Sequence, residues 1–441
     1  MISFVLTAVA FRAIQRIFLV MKNCKIPIFE YFDFQPSWKS VQFWFLRYGL
    51  YKLTRVKERA NDWIVIVDFK VQAGLQKCLV ILGLRWSTLV LKEQKRNSLE
   101  IRHEDLEPLA LVPMSSSNGE KVAQILEEVS LKTGCFMQIV ADHGSDVNKG
   151  VKLYCKAHQE TINTYDIVHK LAILLKKGLE KDELWEKIIQ LITNTKQLTK
   201  QSMEACLSPP RQREKARFMN ADILIDWLQE ALFFLYKGED FPYLDKSQLS
   251  HKLGWVLEYS HVIEEYVEMI VMIRLARHQV RTEGLHRRSY VDFFRRLKIE
   301  FADFFQKRKN QEFKGLKLHS KSFEIGKEIF YFLRQEGMSI PNEQIMLGSS
   351  EGIESVIGRE KVIVERTKAT KSITKGVLAI AAMIGENNPA EVENALKTVS
   401  VKDLNEWEDA WIGKSDLAKR KEIFSYKMDL KPLSHTSVIA A

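Results

Sequence analysis

The stretch Met137-Gln-Ile-Val-Ala-Asp-His-Gly-Ser-Asp146, MQIVADHGSD, decides how the rest of the chain is read. An apolar run climbs to Asp142 and then breaks into a polar turn. Such a run, bounded by turn residues, reads as a buried strand. A lone carboxylate is costly to bury unless it is paired or bound to a cation. The strand therefore ends by holding an acid out for some purpose. A second apolar run, WIVIVDF (63–69), carries Asp68 in the same way.

Between and around these two runs the period is that of short strands. CLVILGL (78–84) follows the first, with Gly74 as a plausible hairpin position. LEPLALVPM (106–114) reads as a third strand. Ser116 or Ser117 then caps a helix, NGEKVAQILEEVSLKTG, which stops at Gly134. CFMQIVAD (135–142) is the fourth strand. Ser145 or Asp146 is placed to cap the next helix, VNKGVKLYCKAHQ, and Asp146 reads as a cap before a ligand. TINTYDIVH (161–169) reads as a fifth strand running into a helix. The order β-β-β-α-β-α-β joins an antiparallel meander to parallel strands. It matches a ribonuclease-H-like mixed five-stranded sheet with flanking helices. In such a sheet the first and fourth strands are central neighbours, so Asp68 and Asp142 would meet at one end and share a divalent metal.

The outer zones differ in composition. Residues 1–60 are helical, basic and aromatic. PSWKSVQFWFLRYGLYKLTR reads as helix, Gly49 turn and more helix, either a short helix-turn-helix that contacts DNA or a small helical cap. Residues 61–175 form the first part of the sheet domain. Residues 176–340 are an all-helical insertion with apolar positions at i, i+3, i+4 and i+7. Residues 341–441 return to the core with a helix around SSEGIESVIGREKVIVER and end in a charged helical tail.

Lys plus Arg is 66 against 56 for Asp plus Glu, a net charge of +10, which favours a polyanionic partner, nucleic acid before membrane. RQREKAR (211–217), HRR (286–288) and FFRRLK (293–298) are basic patches suited to a DNA backbone or to plain solvated helix faces. The apolar start is interrupted by Arg12, Gln15 and Arg16, short of the roughly 20 residues a membrane span requires. Five scattered cysteines without a CxxC read as free thiols of a reducing cytoplasm. There is no GxxxxGK[ST] or HExxH.

WIVIVDF…KCLVILGLR, MQIVADHGSDVNKGV, YDIVHK and SSEGIESVIGREK together resemble a bacterial insertion-sequence transposase of the DDE type. The resemblance runs from Ser37 to the last helical segment and includes KLTRVKERANDW. It implies a ribonuclease-H-like core whose Asp, Asp and Glu bind two Mg²⁺ ions, with Mn²⁺ able to substitute. It implies an enzyme that binds element ends, cuts phosphodiester bonds and joins the freed 3′-hydroxyls to target DNA. Two metal ions would activate the attacking oxygen and stabilise the leaving one. DNA is then the partner, two element ends call for a homodimer, and the place of work is the bacterial nucleoid.

On this sequence the first two acids fall on Asp68 and Asp142. The third falls on Glu354, with Glu351 as the alternative on the same face of its helix. Lys361, two turns beyond Glu354, and Arg359 would contact DNA phosphate. The Tyr and Arg of a related family's longer signature are replaced by Leu347 and Ser350. A His-Thr pair that often follows the first Asp is replaced by Phe69-Lys70. Asp166 and His169 form an Asp-x-x-His pair that would either orient the active-site end of the sheet or fix a local turn. His143 reads as an exposed turn residue beside the metals. Trp227 and Trp255 are candidates to receive a flipped base, or ordinary core residues of the insertion. Two other functions remain open on these residues. One is an inactive DNA-binding derivative of the same fold. The other is a metal-dependent phosphohydrolase using Asp68, Asp142, His143, Asp166 and His169.

Overall fold

The computed structural model describes residues 10–25, 35–71, 76–202, 204–212, 218–237, 246–309, 319–363, 373–386, 388–414 and 416–426. The first nine residues, the expected Gly74 turn, residues 213–217 of the basic break and the closing coil lie outside the described residues. The chain divides into two compact units. The first comprises residues 1–92, 101–163 and 350–441, and the second comprises 93–100 and 164–349.

The first unit is built on a five-stranded sheet. The strands are β1 (Trp63–Val71), β2 (Lys77–Arg85), β3 (Glu107–Met114), β4 (Phe136–Ala141) and β5 (Ile162–Tyr165, of which 162–163 fall in this unit), in the order β3-β2-β1-β4-β5. β1 pairs antiparallel with β2, which pairs antiparallel with β3; β1 pairs parallel with β4. This is the mixed sheet of a ribonuclease-H-like fold. β1 lies between two neighbours, and Trp63 to Val67 are all buried, which is why it reads as a continuous apolar run rather than an alternating one. The same fold adds a helix that the sequence pattern did not reveal. α3 (Trp86–Arg96) joins β2 to β3; it starts directly after β2 ends at Arg85, and Leu89 is its buried residue.

Helices α4 (Gly119–Thr133) and α5 (Ser145–Ala157) cover one face of the sheet. Val122, Ile125, Leu126 and Val129 of α4 and Val147, Val151 and Tyr154 of α5 share a core with Trp63, Val65, Val67, Ile139 and Ala141. Gly134 ends α4 at φ +99°, and a Cβ there would lie 2.2 Å from the Ala60 carbonyl oxygen. The helix stop expected at Gly134 thus has both a backbone and a packing cause.

N-terminal to the sheet stand α1 (Phe11–Asn23) and α2 (Trp38–Thr54). No described helix is long and apolar enough to cross a membrane. α2 corrects the helix-turn-helix reading. It runs unbroken through Gly49, which is a point of close approach rather than a turn: a Cβ at Gly49 would meet the Leu378 carbonyl oxygen at 2.2 Å. Two of its basic residues, Arg47 and Lys52, turn inward. The Arg47 guanidinium donates to the Leu396 and Val399 carbonyls, and the Lys52 ammonium donates to the Ile384 carbonyl at 2.6 Å.

The second unit is helical. α6 (Ile167–Leu179), α7 (Glu183–Thr199), α8 (Ala221–Lys237), α9 (Lys246–Leu253), α10 (Trp255–Glu258), α11 (Ser260–Glu283), α12 (Ser289–Lys309) and α13 (Ser320–Met338) follow in order. The long α11 is buried along Val262, Ile263, Tyr266, Met269, Ile270, Met272, Ile273, Ala276 and Val280. Its Tyr266 hydroxyl donates to Asp182 at 2.5 Å. Back in the first unit come α14 (Glu351–Ile363), the short α15 (Ala379–Ala382), α16 (Pro389–Thr398), α17 (Val401–Trp411) and α18 (Asp416–Tyr426).

Candidate active site

Two of the candidate acids arrive together because of strand register. β1 and β4 run parallel, and their last paired positions are Val67 and Ala141. Asp68 and Asp142 are each the next residue. Side chains alternate along a strand. Since Val65, Val67, Ile139 and Ala141 face α4 and α5, Asp68 belongs to the opposite face. Both acids are half-buried. Asp68 still lies within β1, opposite Val80 of β2, and its Oδ1 accepts the Phe69 backbone N–H at 2.7 Å. Asp142 sits just past β4, where its Oδ1 accepts the Gly144 N–H at 3.1 Å. That turn makes Gly144 the N-cap of α5. The caps expected at Ser145 or Asp146 are corrected accordingly. Asp146 lies inside the first turn, where its carboxylate takes a hydrogen bond from Ser117 and stands 3.7 Å from the Lys77 ammonium. His143 is exposed.

The third candidate comes from α14, a helix fastened at both ends. At its start, a Cβ on Gly352 would lie 3.2 Å from Ile101 and 3.3 Å from Leu106, and Ser355 shares a hydrogen bond of 3.0 Å with His103. The nearby Arg359 guanidinium, after burial, helps hold the His103 imidazole below its usual range. Residues 101–106 lead into β3, whose first residue, Glu107, pairs with Gly83 near the beginning of β1. Toward the other end of α14, Glu360 forms an ion pair with Lys70, near the end of β1. Both side chains are buried, 0 % and 1 % exposed.

Glu351 and Glu354 stand in the first turn, both half-buried. Acids there are also favoured by the helix dipole. Six residues separate Glu354 from Glu360, roughly 9 Å along the axis. Arg359 and Lys361 are exposed. Among the described residues, no three His, Cys, Asp or Glu side chains are gathered into a group that could hold a metal ion. The fold thus brings Asp68 and Asp142 to one strand end and lays α14 along the sheet, without closing a three-acid ligand set. Carboxylates are suitable donors for a hard divalent cation.

In the sequence, Lys70 stands only as a departure from a motif. Its partner left a legible sign. Ile353, Val356 and Ile357 form an apolar stripe at i, i+3 and i+4, and Glu360 occupies the i+7 place in it. A charged residue on a buried stripe calls for a buried counter-charge. Lys70, two residues beyond Asp68 on the same strand face, supplies one.

Asp166 and His169 lie in the second unit. Here the strand is shorter than expected: β5 ends at Tyr165, and Asp166 is the N-cap of α6, its Oδ1 accepting the Val168 N–H at 3.0 Å. His169 is half-buried, with its ring 6.0 Å from that of Tyr165. The indole N–H of Trp227 donates to the Leu207 carbonyl at 3.2 Å, and that of Trp255 to the Thr195 hydroxyl at 2.9 Å. Both tryptophans are thereby tied into the helical unit.

No family model matches the chain, and a search of curated proteins returns no match. Among solved structures it is similar to a Drosophila P element transposase strand transfer complex, at 10 % identity and a TM-score of 0.37, over 81 % of this chain and 86 % of that one.

Proposed function

We propose that the chain is a DNA transposase of the DDE type, an enzyme that cuts phosphodiester bonds at the ends of an insertion element and joins the 3′-hydroxyls to target DNA. The observation that carries this reading is the strand register: Val67 opposite Ala141 makes Asp68 and Asp142 successive to one parallel pair at the centre of a ribonuclease-H-like sheet. Rigid strands position a pair of acids better than loops do.

In this reading Asp68 and Asp142 would hold a divalent cation, Mg²⁺ or Mn²⁺, with Glu354 of α14, or Glu351, completing the set. Such ions supply an activated attacking oxygen and a stabilised leaving oxygen. The chain's own part is positional. β1 and β4 fix the two carboxylates, the Asp142-to-Gly144 turn limits the rotation of one of them, and Lys70 with Glu360 anchors the helix that carries the third. Lys361 and Arg359, exposed on that helix, would contact phosphate oxygens. Pairing of two element ends would require two copies of the chain.

The test is cleavage of a supercoiled donor carrying the element and its flanks, in Mg²⁺, by the wild type, Asp68→Asn, Asp142→Asn and Glu354→Gln. Loss of metal-ligand charge is worth several kcal/mol at such a centre, so each variant should cut at least ~10³-fold more slowly. Equal cutting by wild type and Asp142→Asn would sink this site.

One observation favours a second reading, a DNA-binding derivative that no longer cuts: the described residues gather no three-ligand metal group. Salt-sensitive binding to element ends by a wild type that never cleaves in Mg²⁺ or Mn²⁺ would select it.

A further inference from the structure

The helix that follows Asp142 has a second face. Lys149, Lys152 and Lys156 of α5 are all exposed. Their spacing of three and four residues sets them in one row along the helix. The row cannot turn inward, because Val147, Val151 and Tyr154 on the other side are fixed in the core. With Ser145, Asn148 and Leu153 the lysines line a shallow, open groove of about 400 Å³ along the surface of this one helix. α5 begins three residues past Asp142, so the groove starts beside the candidate catalytic end of the sheet. Near that end, the Lys77 ammonium lies 3.2 Å from Ser117 Oγ and 3.7 Å from Asp146.

We propose that this lysine row is a track for the phosphate backbone of DNA, holding successive phosphates of one strand on their way to Asp142. That the polyanion is DNA rests on the transposase reading; the groove's cationic row is independent of it. Seven residues of helix from Lys149 to Lys156 span roughly 10 Å, about three nucleotides at ~3.4 Å each. Glu120 competes for one of these charges, its Oε1 lying 2.6 Å from the Lys149 ammonium, while Asp146 faces Lys77, outside the row. The Glu120 pair is solvent-exposed on both sides, so it contributes little and yields to a phosphate.

The experiment uses the full chain carrying Asp142→Asn, so that binding is read without cutting. Affinity for a short DNA duplex of arbitrary sequence is measured by fluorescence anisotropy across a salt series, with and without Lys149→Ala, Lys152→Ala and Lys156→Ala together. The three substitutions should flatten the log K against log salt slope by about 2–3 and weaken binding at least ~10-fold at ~0.1 M salt. Glu120→Gln should shift affinity the other way. A slope and affinity unchanged by the triple substitution, in a chain with an unchanged thermal midpoint, overturn the track. Cleavage by the chain with Asp142 intact is scored separately. A flattened slope without cleavage upholds the track and removes the transposase reading; cleavage with an unchanged slope does the reverse.

Discussion

Lys70 and Glu360, 290 positions apart in the chain, form an ion pair shut off from solvent. Taking two charges out of water is expensive, and their attraction repays it only while both are present. Removing one should therefore be far worse than removing both. Lys70→Met or Glu360→Leu alone should cost about 3–5 kcal/mol of stability, whereas the double substitution should come within about 1–2 kcal/mol of the wild type. Urea unfolding of the four proteins checks this. Additive losses would mean that the pair's charges are not coupled.

Gly49 sits where α2 crosses the backbone at Leu378 and Ala382. Alanine is the better helix former by about 1 kcal/mol. Its methyl, however, would be driven onto the Leu378 carbonyl, with only 2.2 Å available. Gly49→Ala should still destabilise the chain, by about 1–3 kcal/mol. A thermal midpoint that rises instead would return Gly49 to the role of an ordinary helix residue.

Burial pushes the Lys52 ammonium down to about 8 and does the same to Lys57. Below that pH both folded and unfolded chains carry the proton, and the penalty of burying the charge is fully present. Between about 8 and the ordinary 10.5, the unfolded chain keeps a proton that the folded chain has released. Stability contributed by this residue therefore rises with pH across that window. Comparing wild type with Lys52→Met isolates it, since the opposing contribution of the Cys78 thiol, pushed up to about 12 by burial, is common to both. The wild type should gain on the variant as pH climbs through the window; a flat difference would show that Lys52 is solvated.

Thiol chemistry should sort by environment. Cys24, Cys135 and Cys206 are exposed, Cys155 is half-buried and pushed up to about 11, and Cys78 is fully buried. Reaction requires the thiolate. An aromatic disulfide reagent should modify three thiols rapidly, Cys155 more slowly, and Cys78 only with unfolding. Fast modification of Cys78 in the native chain would contradict its packing.

The central strands were legible because burial on both faces turns them into runs such as WIVIV and MQIVA, and the acids that end or interrupt those runs stood out. Placing Asp68 with Asp142 needed only strand order and direction. The register itself depends on backbone pairing that composition does not encode. α3 is not marked in the sequence because it starts at Trp86, directly after β2 ends at Arg85, with no turn residue between the two. In the sequence Gly49 reads as a break because a glycine in a helix usually weakens it; its packing partner Leu378 lies about three hundred residues away. Glu354 reads from its spacing to Lys361, while Glu360, which anchors the same helix, is legible only as the charge at the i+7 place of the apolar stripe Ile353, Val356 and Ile357.

The distance along the chain between Lys70 and Glu360 has a consequence for biosynthesis. β1 emerges from the ribosome early, carrying an ammonium that no apolar interior will accept by itself. Its counter-charge is translated only after the whole helical unit. Until then, the inner face of the sheet lacks both α14 and the means to neutralise Lys70. Completion of the first unit must therefore wait until α14 has been translated, and chains truncated before Glu360 should be the ones that chaperones and proteases capture.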